Sequence, residues 1–102
     1  MMCAVTVRCI KPGAYDAFRQ AWEPAPWPPQ LRRVLISRND QDQDQVLTAS
    51  FFDLGPEELE AARDDPSILE AEGERLQRIT EHVDSVVFKG FFEIAEELEP
   101  PH

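Results

Sequence analysis

The feature that most constrains this chain is a helix that runs almost without a loop into a strand with apolar residues on both of its faces. The stretch spans Ser67 to Ile94, SILEAEGERLQRITEHVDSVVFKGFFEI. In its first half Leu69, Leu76 and Val83, joined by Ile68 and Ile79, form one stripe, and Glu70, Glu74, Arg78 and Glu81 fall outside it. Ser67, with Glu70 three residues on, has the form of a capping box. Beyond His82 the period changes to two. Val83, Val87 and Phe91 then share one face, and Val86, Phe88, Phe92 and Ile94 share the other. A strand of that kind has to be covered twice.

The rest of the chain supplies cover for one side only. At 102 residues it is expected to be a single domain, with a folded core over about residues 3–95 and a loose acidic tail over 96–102. Residues Cys3 to Ile10 alternate Cys3, Val5, Val7 and Cys9 against Ala4, Thr6, Arg8 and Ile10, which reads as a first strand. After the turn Lys11-Pro12-Gly13, the spacing of Tyr15, Phe18 and Trp22 predicts a helix that ends at Glu23, before Pro24. The segment Glu23 to Gln30 carries four prolines and Trp27 and reads as a stiff connector. Leu31 to Arg38 and Val46 to Phe52 are two more strands, joined by the polar tip NDQDQDQ. That tip lacks the glycine and terminal glutamate of a calcium loop and is expected to be solvated. Pro56, Glu57 and Glu58 open a short helix to about Arg63. Gly90, inside the last strand, suggests a bulge or the close approach of another backbone.

Charge narrows the partners. Twenty acidic against ten basic side chains leave a formal net charge of -10, which opposes approach to phosphate backbones and anionic membranes. No apolar run reaches the ~20 residues of a membrane helix, and Met1 to Cys9 lacks the regions of a signal peptide, so a cytoplasmic location is expected. Cys3 and Cys9 lie six apart on one strand, about 20 Å at ~3.3 Å per residue, too far to pair. Neither sits at a metal-ligand spacing, and no metal or cofactor is expected.

The element order β-α-β-β-α-β is the split pattern of a ferredoxin-like α+β domain: a four-stranded antiparallel sheet with its helices on one face. The opposite face, bearing either the Val83, Val87, Phe91 set or the Phe88, Phe92 set, would expose an apolar patch, and a second copy packed through that sheet face is the economical cover. A homodimer is therefore expected.

This layout, the apolar strand, Pro-Gly turn and aromatic-bearing helix from Val5 to Trp22, the Phe51-Phe52-Asp53 end of the third strand and the closing GFFEI of Gly90 to Ile94 together resemble the dimeric α/β-barrel superfamily. Within it the resemblance is to antibiotic biosynthesis monooxygenase-like domains, over residues 3–95. That resemblance implies small homodimers with a barrel-like interior, several of which oxidise phenolic or quinol substrates with molecular oxygen and no cofactor. Haem-degrading relatives pair a first-strand asparagine with a tryptophan near the end of the third strand. Here the sole asparagine is Asn39, in the hairpin, and the third strand ends in two phenylalanines, so haem chemistry is disfavoured.

Two classes of function follow. The first is a cofactor-independent monooxygenase of a small aromatic or polyketide-like compound, with His82, the only histidine inside the folded region, as the base. Trp22, Trp27, Arg8, Ser50 and Phe51 are its candidate substrate-binding residues; Thr6, Ser37, Arg38 and Thr48 are further polar strand residues. The second is a non-catalytic homodimeric module that binds a small molecule or a protein. His82 also has a purely structural reading, because a histidine in the last turn of a helix is favoured by the negative end of the helix dipole. Trp22 reads equally as core.

Overall fold

The computed structural model describes residues 1–101, and the end of the acidic tail, residue 102, lies outside the described residues. The elements are β1 (Met2–Ile10), α1 (Tyr15–Trp22), β2 (Leu31–Arg38), β3 (Gln45–Phe52), α2 (Pro56–Arg63), α3 (Pro66–Thr80) and β4 (Val83–Glu93). The strands form one antiparallel sheet in the order β2-β3-β1-β4, so the ferredoxin-like α+β fold is as the element order required, with α2 and α3 sharing the second crossover. No helix among the described residues is long and apolar enough to cross a membrane.

Local chemistry sets the element ends. Pro12 and Gly13 occupy the middle of a turn closed by the Ala14 amide on the Lys11 carbonyl at 3.0 Å, and Gly13 has φ +73°, a conformation that only glycine adopts freely. Pro56 opens α2, where the Glu58 carboxylate accepts from the Gly55 amide at 3.4 Å. The start of α3 differs from the expected Ser67 capping box. Asp65 is the N-cap: its carboxylate accepts from the Ser67 amide at 2.9 Å and from the Ser67 hydroxyl at 2.7 Å, and Pro66 is the first helical residue. Proline suits that position because its missing N–H would have no partner there, so the Asp-Pro pair starts the helix and does not merely end the one before it.

The inward stripe of α3 also differs. Ile79 is buried and Leu76 half-buried, but Ile68 and Leu69 are exposed, and Arg75 turns inward where the hydrophobic pattern placed no charge. The first turn of α3 is exposed, and its buried and half-buried residues fall in the C-terminal half.

Strand pairing assigns the two faces of the sheet. Met2, Ala4, Thr6, Arg8 and Ile10 of β1 face the helices, beside Phe52, Ser50, Thr48 and Val46 of β3. Cys3, Val5, Val7 and Cys9 face the other way, with Phe51, Ala49 and Leu47. On β4 the register slips twice, between the partners of Val7 and Arg8 and between those of Cys9 and Ile10, leaving Val87 and Asp84 without one-to-one partners. The slips remove Val87 from the expected Val83, Val87, Phe91 set and set Val86 opposite Arg8 on the helix side, while Val83 and Phe91 still share one face because the second extra residue restores the alternation. Val83 packs into the helix-side core, and Phe91, opposite Ala4, carries the Arg63 guanidinium 4.9 Å from its ring centroid.

Phe88, Gly90 and Phe92 lie on the face away from the helices, opposite Val7, Val5 and Cys3. Gly90 is not itself a bulge. Its missing side chain makes room for the two phenylalanine rings, which stack over it with centroids 6.0 Å apart and an interplanar angle of 22°. Together with exposed Leu35 and Leu47, the two rings make this side of the sheet apolar and uncovered. Cys3 and Ala49 are buried on this face; Cys3 lies between its pairing partners Phe51 and Phe92, and burial raises its thiol above the ordinary range.

The helix-side core is in two parts. Ile10, Phe18, Trp22, Val46 and Ile79 form one cluster at the α1–α3 end. Met2, Leu54 and Leu59, with Phe52 beside them, form the other under α2.

Candidate functional site

Between those two clusters the covered face of the sheet changes character. Its central positions are Ala4, Thr6 and Arg8 on β1 and Thr48 and Ser50 on β3, and the short helices leave Ala4, Thr6 and Ser50 only half-buried. A polar row therefore crosses the middle strands at the place where a two-layer domain normally puts aliphatic side chains. Phe18 and Trp22 of α1 wall it at one end, and Phe91 and Arg63 lie towards the other.

Arg8 is the central group. Its side chain is on the inward face of β1 and retains 7% of its accessibility. Nη1 donates to the Thr48 hydroxyl at 3.3 Å, and the guanidinium carbon lies 5.8 Å from the centroid of the Phe18 ring. Thr48 in turn reaches the Thr6 carbonyl at 3.5 Å. Burial pushes the Arg8 guanidinium below its ordinary range, the neighbouring Arg75 pushes it further, and Glu72 partly offsets both.

Arg75 is differently placed, because its donors are engaged. Nε donates to the Trp22 carbonyl at 2.6 Å, which closes the C-terminus of α1, and Nη1 donates to Glu72 at 2.6 Å. Its guanidinium carbon also lies 4.7 Å from the Trp22 ring centroid. The sequence reading missed Arg75 and Glu72. The signal available was that Glu72, Arg75, Leu76 and Ile79 follow the i, i+3, i+4, i+7 rule as well as the aliphatic set did.

The structure brings four of the sequence-derived residues to the helix side. Arg8 and Ser50 lie on the floor; Trp22 is in the adjoining core; Trp27, held by the proline connector, meets Trp22 with ring centroids 6.2 Å apart at 60°. Phe51 is on the opposite face of the sheet, opposite Cys3. Ser37 shares that opposite face, while Arg38 stacks on Tyr15 at 4.4 Å.

His82 is elsewhere again. It follows α3, its amide donates to the Ile79 carbonyl at 2.9 Å, and its carbonyl accepts from Lys11 at 2.9 Å. It lines a shallow depression of about 450 Å³ with Ala17, Gln20, Ala21, Arg78 and Glu81. Among the described residues no hydrogen bond joins its ring to Arg8 or Ser50. A second depression of about 330 Å³, lined by Trp27, Pro28 and residues 31–34, opens at the β2 edge. Among the described residues no group of three or more His, Cys, Asp or Glu side chains is placed to hold a metal ion.

A four-stranded ferredoxin-like sheet with one apolar face uncovered and a polar row under its helices defines a structural class, and comparison with solved structures gives that class a name. The chain has the fold of the antibiotic biosynthesis monooxygenase-like proteins. A protein from Chloroflexus aurantiacus, described provisionally as an antibiotic biosynthesis monooxygenase, superposes with a TM-score of 0.69 at 15% identity over 96% of both chains. One from Deinococcus radiodurans with the same provisional description gives 0.67 at 12% identity over the whole of both chains. SnoaB from Streptomyces nogalater, a cofactor-independent oxygenase, gives 0.62 at 10% identity over 97% of each chain. No protein-family model and no curated protein matches the sequence.

Proposed function

We propose that this protein is a homodimer of antibiotic biosynthesis monooxygenase-like fold that binds a small aromatic compound in the cleft between its sheet and helices and oxidises it with molecular oxygen, without a cofactor. The observation that carries the reading is the polar row Arg8, Thr48, Thr6 and Ser50, set between aromatic walls in a layer that folding alone would fill with aliphatic residues. We place there a flat ligand with one or two oxygens, its oxygens on the half-buried Thr6 and Ser50 hydroxyls and the Arg8 guanidinium.

The chemistry asks little of the protein. An ionised phenol or enol activates its own ring carbon. That carbon gives electrons to oxygen and forms a C–O bond, and loss of water converts the methylene to a carbonyl. One oxygen atom enters the product, the other leaves as water, and no external electrons are needed. The cleft's own side chains, Arg8, Thr6, Thr48 and Ser50, include no base at neutral pH, so the reading favours substrates acidic enough to ionise against the Arg8 charge. His82 can take the proton only from a substrate that extends to the α1–α3 depression.

The homodimer rests on the uncovered face, where Leu35, Leu47, Phe88 and Phe92 form a contiguous apolar surface on neighbouring strands. A two-fold copy sets the same face against itself.

Oxygen uptake with a panel of hydroquinones, anthrones and cyclic 1,3-diketones tests the reading. Turnover that survives His82→Ala and falls with Ser50→Ala is the expected result. Ligand binding with no oxygen uptake across the panel would establish the second reading, a binding module without catalysis, which the absence of a base among the cleft residues favours.

A further inference from the structure

Arg8 lacks the charge partner that its burial demands. A guanidinium has five N–H donors, and among the described residues Arg8 spends them on one neutral acceptor, the Thr48 hydroxyl. No carboxylate lies within ion-pair distance of it among the described residues. The nearest acid in the same layer, Glu72, is held by Arg75 at 2.6 Å, and Arg75 is itself a second cation close enough to repel Arg8. Nε and Nη2 have no protein partner among the described residues, yet no buried side-chain nitrogen or oxygen there is left unsatisfied, so these two atoms retain solvent access. Lys89, opposite Thr6 on β4, adds a further positive charge on the same face. In a chain of net charge -10 the cations Arg8, Arg75 and Lys89 gather here, with Glu72 engaged by Arg75.

A cation removed from water is costly unless it is paired, and the fold leaves this one half-paired with its free edge accessible. We propose that Arg8 is the anchor for an anionic oxygen on the ligand, so that the site selects flat aromatic compounds carrying a carboxylate or an ionised hydroxyl over their neutral counterparts. The proposal rests on the reading of the cleft as a ligand site, and it concerns binding, not turnover. Thr48 fixes the Nη1 side of the guanidinium, which leaves Nε and Nη2 as a parallel pair of donors, the geometry that holds a carboxylate by two bonds.

The test compares 2-naphthoate with 2-naphthamide, equal in shape and different in charge, by calorimetry in oxygen-free buffer on the intact protein. The expected result is a preference for the naphthoate of about tenfold or more, the usual worth of a hydrogen bond to a charged group. The preference should vanish in Arg8→Met and persist in Lys89→Gln. Arg8→Met should also keep or raise the melting temperature, because an unbranched apolar chain replaces a half-paired charge. Equal affinity for the two probes on the unaltered protein, or no binding of either, overturns the proposal whether or not the variant folds. So does a preference lost with Lys89→Gln in place of Arg8→Met, or an Arg8→Met protein that is less stable with its preference intact. Failure of oxygen uptake alongside an Arg8-dependent preference removes the oxygenase reading and leaves this one standing; uptake with no charge preference does the reverse.

Discussion

Replacing Phe88 by alanine separates association from folding, and the structure fixes how large the effect should be. In the single chain Phe88 keeps 45% of its accessibility on the face away from the helices. A phenylalanine exposes on the order of 200 Å², so about 90 Å² remains for a partner to cover. At ~25 cal/mol per Å² that area is worth about 2 kcal/mol per copy, and the two-fold arrangement counts it twice, giving about 4.5 kcal/mol per dimer. The dimer dissociation constant should therefore weaken by roughly three orders of magnitude, while the isolated chain loses little because the ring was half in water. Sedimentation velocity over a concentration series reads this directly: the unaltered protein should run at twice the 11.7 kDa of one chain and the variant as a monomer. Leu98→Ala is the control, an exposed residue on the tail outside the sheet. A monomeric unaltered protein at micromolar concentration, or a Phe88→Ala dimer of undiminished affinity, would refute the assignment of this face as the contact.

Three further expectations follow. Gly90→Ala places a methyl group 3.1 Å from Phe88 Cζ and 3.3 Å from Phe92 Cε2, so the rings must separate; dimer affinity should fall about tenfold with little change in the monomer's urea midpoint, within the range for overpacked sites. Thr48→Val removes the one hydrogen-bond acceptor of the Arg8 side chain among the described residues and should destabilise the fold by about 1–3 kcal/mol, measured by urea denaturation, with recovery when combined with Arg8→Met. Asp65 has its carboxyl held below the ordinary range by the Ser67 hydroxyl and amide, so its capping contribution is present above the unfolded carboxylate range and lost as pH falls through the lowered folded value. Asp65→Ala should thus lower the thermal midpoint at neutral pH, and the gap between variant and parent should close in strong acid.

The order of elements and the strand bounds were legible because period-two alternation and proline–glycine punctuation are local signals. Leu31–Arg38 reads as a strand from its own residues, and Pro56 and Arg63 bound α2 by composition alone. The faces of β4 were legible at Val83 and Phe91 and at Phe88 and Phe92, which share faces as the alternation requires, but not at Val86 and Val87. Two register slips at Asp84 and Val87 arise from pairing with β1, and no residue within β4 announces them. Gly90 was recognised as unusual, yet its function depends on the rings two residues to either side, since only the folded strand stacks Phe88 and Phe92 over the gap. The inward stripe of α3 is shorter than the hydrophobic pattern implies: Ile68 and Leu69 belong to the pattern but are exposed, and burial along α3 starts with the turn that carries Arg75.

Of the candidate site, Arg8 and Ser50 could be named from alternation on one strand each, but their meeting on one floor needs the β1–β3 register that sets Thr6 opposite Thr48 and Ala4 opposite Ser50. Long-range pairing of this kind carries no local trace. The same register explains why Phe51 falls away from the cleft, one residue from Ser50 and on the other side of the sheet.

Taken together, the two faces depart from the usual arrangement of a one-sided sheet, in which the covered face is apolar and the solvated face polar: the covered face keeps two apolar clusters but is polar between them, and the open face is apolar. Here Arg8, Thr6, Thr48 and Ser50 lie under the helices, and Leu35, Leu47, Phe88 and Phe92 face out. On the proposed function each departure is relieved by a different partner: a second copy on the open face and an anionic ligand at Arg8. The same strands carry both sets, with Cys3, Val5 and Val7 alternating with Ala4, Thr6 and Arg8 along β1. Fixing one face of β1 and β3 restrains the backbone that positions the other, so association and ligand binding should be coupled. The Phe88→Ala monomer is then expected to bind 2-naphthoate more weakly than the dimer although Phe88 cannot touch the ligand, and 2-naphthoate should raise the dimer's affinity by the same factor. Equal naphthoate affinity in monomer and dimer would show that the two faces act independently.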